Sequence, residues 1–386
     1  MKILIINWRS IKDPLEGGAE RATFEFAKRW INVHQAQVTW LSPTYDYNIK
    51  KETIEGVNFD YVGLPLSRNV LWLLIVFPIF YVSVIFKYLF KYKNNIDIVI
   101  DQVHGIPYLT PFYVKEKIVV YIHEVAGEIW GIMYPFPIRI LGQLTEKIIF
   151  FIYKIFSINF VANSNSTYQD LIEKIGIKKE NLQIIPYGVT APKTNFEDLP
   201  KKEKELTVVY LNRIVKMKGI QRGINSFSLL VKEFPKAKLW IIGKGEADFI
   251  SELKQQVKDL KIENNVKFLG FKDGAEKYEL LGKAHVLMNP SYLEGFGLVN
   301  IEANRMGTPA AVFDVRGCRD SVQKNINGLL SEDNNLQDMA DNIKILYNSK
   351  DLRRSSWEYS NQFDWDLQAE IFYKSLKKIK DEKNNL

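Results

Sequence analysis

Two glutamates, Glu294 and Glu302, stand eight positions apart and bracket the turn Gly295-Phe296-Gly297-Leu298. Along a helix that spacing covers at most about 12 Å, so the two carboxylates can grip hydroxyl groups at both ends of one small polar ligand. The glycines let backbone approach a ligand closely, and the first free amides of a helix opening near Gly297 form an anion site suited to phosphate. On that start Glu302 falls in the second turn and Glu294 lies before it. Isolated glutamates are ordinarily solvated surface. Here a strand ending at Pro290-Ser291, a glycine turn and a helix follow one another around the pair, which makes it a candidate site. A second candidate is His123, which follows the apolar run Val119-Val120-Tyr121-Ile122. It sits at the carboxyl end of a predicted strand, where open α/β sheets form their ligand crevice; the competing reading is a satisfied structural histidine.

The elements that must position these groups are legible as alternating short apolar runs and amphipathic stretches. Strands are predicted at Lys2–Trp8, Gln37–Leu41, Ile96–Asp101, Lys117–Ile122 and Asn159–Ser164. Ala22, Phe26, Trp30 and Val33 recur at helical spacing between the first two and should face the core. Strands resume at Leu206–Asn212, Lys238–Gly243, Asn265–Phe271, His285–Pro290 and Ala310–Val315. This pattern indicates α/β architecture with parallel sheets, in two Rossmann-like domains. The boundaries read as residues 1–189, a polar and charged linker at 190–205, a second domain at 206–365 and a C-terminal helix at 366–386 that returns to the first domain.

The segment from Glu294 to Glu302 resembles the E-x7-E signature of the retaining family-4 glycosyltransferases. Asn212-Arg213-Ile214-Val215-Lys216-Met217-Lys218-Gly219 resembles the same family's G-R-x-x-x-x-K-G element, with asparagine in place of its first glycine. Ile241-Ile242-Gly243-Lys244-Gly245-Glu246 resembles its strand-to-helix G-x-G turn, and Glu16-Gly17-Gly18-Ala19-Glu20-Arg21 its first glycine-rich loop. The resemblance implies the GT-B fold, two Rossmann-like domains facing each other across a cleft, with an acceptor-binding first domain and a donor-binding second one. It implies that Arg213 and Lys218 neutralise the departing nucleoside diphosphate. Gly17, Gly18, Gly243, Gly245, Phe296, Gly297, Leu298 and Glu302 would bind the nucleotide-sugar, with His123 and Glu294 catalytic. It further implies transfer with retention of anomeric configuration from a UDP- or GDP-linked sugar, needing no metal and no cofactor.

Composition narrows the surroundings. The single cysteine among 386 residues excludes an intrachain disulfide and a thiolate metal cluster, as a cytoplasmic protein would show. The first apolar run is too short for a secretory signal. A net charge of +7 favours phosphates or anionic lipid headgroups. No zinc-finger spacing or aromatic-basic motif points to nucleic acid. Two stretches, 69–86 and 129–160, are strongly apolar with flanking or scattered bases. The first is at the lower length of a membrane span but is interrupted by Pro78 inside a Rossmann-like pattern. Both are read either as a face resting on a bilayer or as buried core helices; the first favours a lipid or lipid-linked saccharide acceptor. The rival functions are a catalytically silent nucleotide-sugar-binding scaffold and a GT-B epimerase or phosphorylase.

Overall fold

The computed structural model describes residues 1–14, 16–65, 70–104, 107–127, 130, 136–349 and 351–382. The chain divides into two compact units, Met1–Gly188 with Trp365–Leu386, and Val189–Asp364.

The first unit is built on an eight-stranded sheet of order β3-β4-β2-β1-β5-β6-β7-β8. Its strands are β1 (Lys2–Ile6), β2 (Gln37–Pro43), β3 (Lys51–Ile54), β4 (Val57–Val62), β5 (Ile98–His104), β6 (Lys117–Glu124), β7 (Asn159–Ala162) and β8 (Leu182–Ile184). All pair in parallel except β3, which runs antiparallel to β4 at the edge. The chain moves outward from β1 through β2 and β4, then returns to lay β5 on the other side of β1. The carboxyl ends of β1 and β5 therefore flank the point where strand order reverses, the place where such sheets bind ligands. Sequence periodicity found the five contiguous parallel strands β2, β1, β5, β6 and β7; β3, β4 and β8, toward the two edges of the sheet, escaped it.

Helices cover both faces. Helix α1 (Gly18–His34) and the C-terminal helix Trp365–Asp381 share one face, where Phe26, Trp30, Tyr121 and Phe372 form a cluster of edge-on and stacked rings. Trp30 Nε1 donates to the Ala369 carbonyl, so this terminal helix is part of the first unit's core. Helices α2 (Val70–Lys87) and α3 (Ile138–Ile155) cover the opposite face, and the short α4 (Asn165–Asp170) follows β7. Residue 69 of the first apolar stretch, and 129 and 131–135 of the second, lie outside the described residues.

The second unit carries a six-stranded parallel sheet of order β11-β10-β9-β12-β13-β14. Its strands are β9 (Thr207–Leu211), β10 (Lys238–Ile242), β11 (Val266–Gly270), β12 (Val286–Asn289), β13 (Ala310–Phe313) and β14 (Gly328–Ser331). Here order reverses between β9 and β12, whose carboxyl ends carry the Arg213 and Glu294 loops. The segment 190–205 differs from its reading as a linker, for it is folded onto this unit. Lys202 Nζ is the anchor, donating to the carbonyls of Ala284 and Gly307 at 2.6 and 2.8 Å and to Thr308 Oγ1 at 2.7 Å. Burial pushes this ammonium well below the usual lysine range. A charged run looks solvated in sequence, and nothing local reveals carbonyls waiting about a hundred residues away.

One ionisable group sits inside the first unit's core. Asp101 on β5 accepts from Thr110 Oγ1 at 2.6 Å and from the Tyr153 hydroxyl of α3. Burial, only partly offset by those bonds, raises its carboxyl to about 6 from 3.8. Its contribution to stability is therefore present in full below the unfolded value and is lost as pH rises through the folded one. Asp101→Asn removes this titration, so urea unfolding at pH 4 and pH 7 should show the variant gaining on the wild type by up to about 3 kcal/mol at the higher pH. A stability gap that does not change with pH would mean Asp101 keeps its ordinary pKa in the fold.

Candidate functional site

In the second unit, the loop after β9 and the loop after β12 meet around one carboxylate. Glu294 Oε2 receives Lys218 Nζ at 2.7 Å, while Oε1 receives Asn212 Nδ2 at 3.2 Å and lies 2.7 Å from Ser291 Oγ. The Glu294 and Lys218 side chains are only 10% and 14% exposed. Burial by itself would raise the Glu294 carboxyl; the Lys218 charge and the Ser291 and Asn212 hydrogen bonds outweigh it and hold the group below the usual glutamate value. Ser291 Oγ also lies 2.8 Å from Asn289 Oδ1 and has one proton to give, which the ionised Glu294 attracts more strongly. Glu294 is thus a fixed anion, engaged by three side chains from two loops.

Local sequence explains how the loop holds this shape. Helix α5 (Ile220–Glu233) brings the buried Arg222, whose guanidinium donates to the Pro290 and Ser291 carbonyls at 2.6 and 2.5 Å and lies 3.8 Å from the Tyr292 ring centroid. Gly297 then turns the chain into helix α8 (Leu298–Arg305) with φ +78°, where an added Cβ would come within 2.8 Å of Asn300 Nδ2 and Ser321 Oγ. Between α5 and α8 lie α6 (Ala247–Asp259) and α7 (Gly274–Lys283). Leu298 and Val299 open α8 with amides at its positive end that have no acceptor inside the helix, while the Asn300 amide donates to the Gly297 carbonyl at 2.9 Å. Glu302 is in the second turn of α8, as the spacing predicts, and its Oε1 receives Lys277 Nζ of α7 at 2.9 Å. Arg213 is exposed, its carbonyl accepting from the Tyr210 hydroxyl at 2.9 Å. It does not share the Glu294 contact that Lys218 makes.

Three residues expected to contact the ligand also have structural roles. The Phe296 ring is buried 5.6 Å from that of Phe363, so its side chain serves packing and only its backbone faces the turn. At Gly243 and Gly245 an added Cβ would meet the carbonyls of Asn212 and Ile214 at 1.9 and 2.4 Å. The bareness of both glycines is taken up in seating β10 against the loop that carries Arg213.

In the first unit His123 ends β6 with its ring buried between Tyr121 and Tyr187, 4.5 and 5.8 Å away between centroids. The Gln102 amide nitrogen lies 2.9 Å from His123 Nε2 and 3.4 Å from the Ala19 carbonyl. An amide nitrogen only donates, so Nε2 accepts and Nδ1 carries the proton toward the Tyr187 oxygen, which also accepts from Asn163 Nδ2 at 2.9 Å. Gln102 thereby links His123 to the first turn of α1. Gly17 caps that helix, its amide donating to the buried Glu20 at 2.8 Å. Gly18 is exposed, and an added Cβ there would have nothing within 4 Å.

Residues 16–191 match the family described as Glycosyltransferase Family 4, and residues 192–363 match that described as Glycosyl transferases group 1. The chain belongs to glycosyltransferase family 4. This family-4 protein is 37% identical over 136 residues to the poly(glycerol-phosphate) alpha-glucosyltransferase of Bacillus subtilis, covering 35% of this chain and 20% of that one. It is 25% identical over 254 residues to the capsular polysaccharide biosynthesis glycosyltransferase CapM of Staphylococcus aureus, covering 61% of this chain and 65% of the relative. The matches thus span less than two-thirds of either relative's length. Among solved structures, Anabaena HepE in complex with UDP and glucose superposes with a TM-score of 0.70 at 18% identity, over 98% of this chain and 100% of that one. The two Rossmann-like α/β units are those of the GT-B fold.

The family-4 signature identified the carboxylates but not what holds them. Asn212 stood out only as a departure from the family's G-R element, and Ser291, Arg222 and Lys277, and in the first unit Gln102, Asn163 and Tyr187, carry no motif of their own; they are ordinary polar residues made meaningful by partners remote in the chain. The Lys218–Glu294 pair has a direct energetic test. Lys218→Met leaves a buried carboxylate without its cation and should cost about 3–5 kcal/mol in urea unfolding. Adding Glu294→Gln to that variant should recover much of the loss; additive losses would contradict the pairing.

Proposed function

We propose that this family-4 protein is a retaining hexosyltransferase that moves a sugar from a UDP- or GDP-linked donor to a lipid or lipid-linked saccharide in cell-envelope polysaccharide or glycoprotein glycan assembly. The observation that carries the reading is Glu294, held ionised by Lys218, Ser291 and Asn212 at the strand-order reversal of the second unit and directly before the amino end of α8. The HepE complex with UDP and glucose favours a UDP-linked donor among the two. The names of the Bacillus and Staphylococcus relatives favour a cell-envelope acceptor.

The chemistry follows from the charges. The bond between the sugar's anomeric carbon and the diphosphate oxygen breaks, and the negative charge that grows on the diphosphate is met by the exposed Arg213 guanidinium, Lys218 and the first amides of α8. These fixed positive groups take the role a divalent cation plays in other phosphate chemistry, so the reaction runs without added metal. The acceptor oxygen forms its bond to the same face of the anomeric carbon, and its proton passes to the departing phosphate oxygen. Glu294, its carboxylate held by an ammonium and two neutral groups, binds sugar hydroxyls and stabilises positive charge at the anomeric carbon. Glu302 exchanges its Lys277 contact for the ribose hydroxyls. His123, with Nε2 the acceptor in its present network, helps to place the reacting sugar.

Gly18 supports the ligand reading independently. Neither strain nor packing calls for glycine there, and a bare backbone at the start of α1 leaves room for the close approach of a ligand. The protein works on this reading at the cytoplasmic face of a membrane.

Two measurements check the proposal. UDP release from UDP-glucose, followed over lipid-linked and polyol-phosphate acceptors, should depend on acceptor and fall at least about 100-fold in Glu294→Gln, with the folded state retained. Donor binding with no turnover across the acceptors would instead indicate a silent scaffold. Separately, Gly18→Ala should leave the melting temperature unchanged or slightly raised, because alanine favours helix, while lowering kcat/KM for the donor by about tenfold or more. Unaltered kinetics would remove Gly18 from the site.

A further inference from the structure

Helices α2 and α3 lie side by side on one face of the first unit's sheet. Phe80 and Val84 of α2 pack with Leu4, Ile6 and Val99, and Phe150 and Tyr153 of α3 pack with Val103, Val120 and Ile122. These strand residues point the same way, since Leu4 pairs with Val99, and Val99 and Val103 alternate along β5 in register with β6. The faces the two helices turn away from the sheet therefore look in one direction. On a water-facing helix that side is polar; here it is apolar. Ile75, Val82 and Phe86 are 51%, 52% and 56% exposed, and Leu141, Phe151 and Ile155 are 63%, 59% and 64% exposed.

The charges on these helices are one-sided. From 70 to 92 the only charged residues are Lys87 and Lys91, both paired with the buried Asp60. From 136 to 157 they are Arg139, Lys147 and Lys154, all exposed, and Glu146. Glu146 is buried, accepting from the Ala126 and Gly127 amides at 2.8 Å each, and presents no charge outward. The exposed surface of α2 and α3 is thus apolar and basic without an acidic residue. By length and composition the segment Ile75–Tyr92 could cross a membrane, yet its inward side chains are committed to the sheet, which leaves it lying along a surface.

At the end of α3 the chain forms a cavity of about 200 Å³ lined by Phe151, Lys154, Ile155, Ser157, Ile177 and Lys178. It combines an apolar wall with two ammonium groups, Lys178 lying 3.5 Å from Glu180. Ser157 precedes β7, so the cavity opens at the amino edge of the sheet, away from the carboxyl ends that carry His123 and lead into Gly18.

We infer that the outer faces of α2 and α3 dock on an anionic phospholipid bilayer and that the Lys154–Lys178 cavity seats one lipid phosphate with the start of its acyl chain. The inference rests on the proposed membrane-side action of the protein and identifies the surface and the lipid charge involved. Position at the amino edge makes the seated lipid an anchor and not an acceptor. Protein partners of either sign can bind apolar helices, but helices whose exposed charges are all basic match a surface of phosphates.

Sedimentation of the full chain with vesicles tests this without reference to transfer. Wild type should partition at least about tenfold better onto phosphatidylcholine vesicles containing phosphatidylglycerol than onto phosphatidylcholine alone, and lose that advantage in high salt. Lys154→Ala with Lys178→Ala should remove most of that anionic advantage and leave binding to neutral vesicles unchanged. Phe151→Ser with Ile155→Ser, both at exposed positions, should weaken binding to both. Wild type left in the supernatant, or lysine variants that sediment like wild type, would overturn the proposal. So would a wild-type dimer that these serine changes convert to monomer, since a second copy would then be the occupant. Acceptor-dependent UDP release with a water-soluble acceptor stands apart, and its loss or persistence speaks only to the transferase reading.

Discussion

The ion pair between Lys218 and Glu294 is the contact on which the second unit's site depends. Two loops leave a parallel sheet on either side of the position where its strand order reverses, and nothing in sheet hydrogen bonding compels them to meet. They meet through a backbone hydrogen bond from the Tyr292 amide to the Met217 carbonyl at 3.1 Å, and through Glu294, which is buried and finds its compensating charge and hydrogen bond in Lys218 and Asn212 of the β9 loop. Removing a carboxylate from water costs several kcal/mol unless it is paired and hydrogen-bonded. That requirement fixes the side chain's orientation before any ligand arrives, and preorganised charge is what makes electrostatic catalysis effective. Gly317 belongs to the same constraint: with φ +78° it lies where an added Cβ would be 2.1 Å from the Glu294 carbonyl oxygen.

The first unit uses hydrogen bonds among neutral groups where the second uses an ion pair. His123, Gln102, Tyr187 and Asn163 form a chain of donors and acceptors that assigns one tautomer to the imidazole and ties it to the start of α1. A buried imidazole with both nitrogens engaged is held in orientation. Glu146 does comparable work in the next loop, where its carboxylate takes two consecutive backbone amides and the Trp130 indole at 3.0 Å. Since Glu146 projects from α3, the helix that carries the exposed apolar face also fixes the backbone just beyond His123. Surface and site are joined through a single turn of helix.

Much of this was legible in the sequence, and the limits have physical reasons. Apolar runs bounded by turn signals made the sheets clear, down to the four-residue β7, β12 and β13, while β3 (Lys51-Glu52-Thr53-Ile54) is a polar edge strand and β8 has only three residues. The helix start at Gly297 and the place of Glu302 in its second turn followed from local turn chemistry. The linker reading of 190–205 failed because Lys202 looks like a solvated cation until its three acceptors are seen. Phe296 illustrates the same limit in the other direction: motif position suggested a ligand contact, whereas the fold turns the ring into the core. What sequence lacks is the partner, and polar networks such as Asn212–Glu294–Ser291 exist only as partnerships.

The most direct test of the central claim, that the second unit's carboxylate pair forms a nucleotide-sugar site, is calorimetric titration of the purified chain with UDP, GDP and their glucose conjugates. Saturable binding of one nucleotide family at a single site is expected, weakened at least about tenfold in Glu302→Ala because the ribose hydroxyls lose a charged acceptor. Binding of equal strength in wild type and variant, or no binding of any of these ligands by the folded protein, would contradict it.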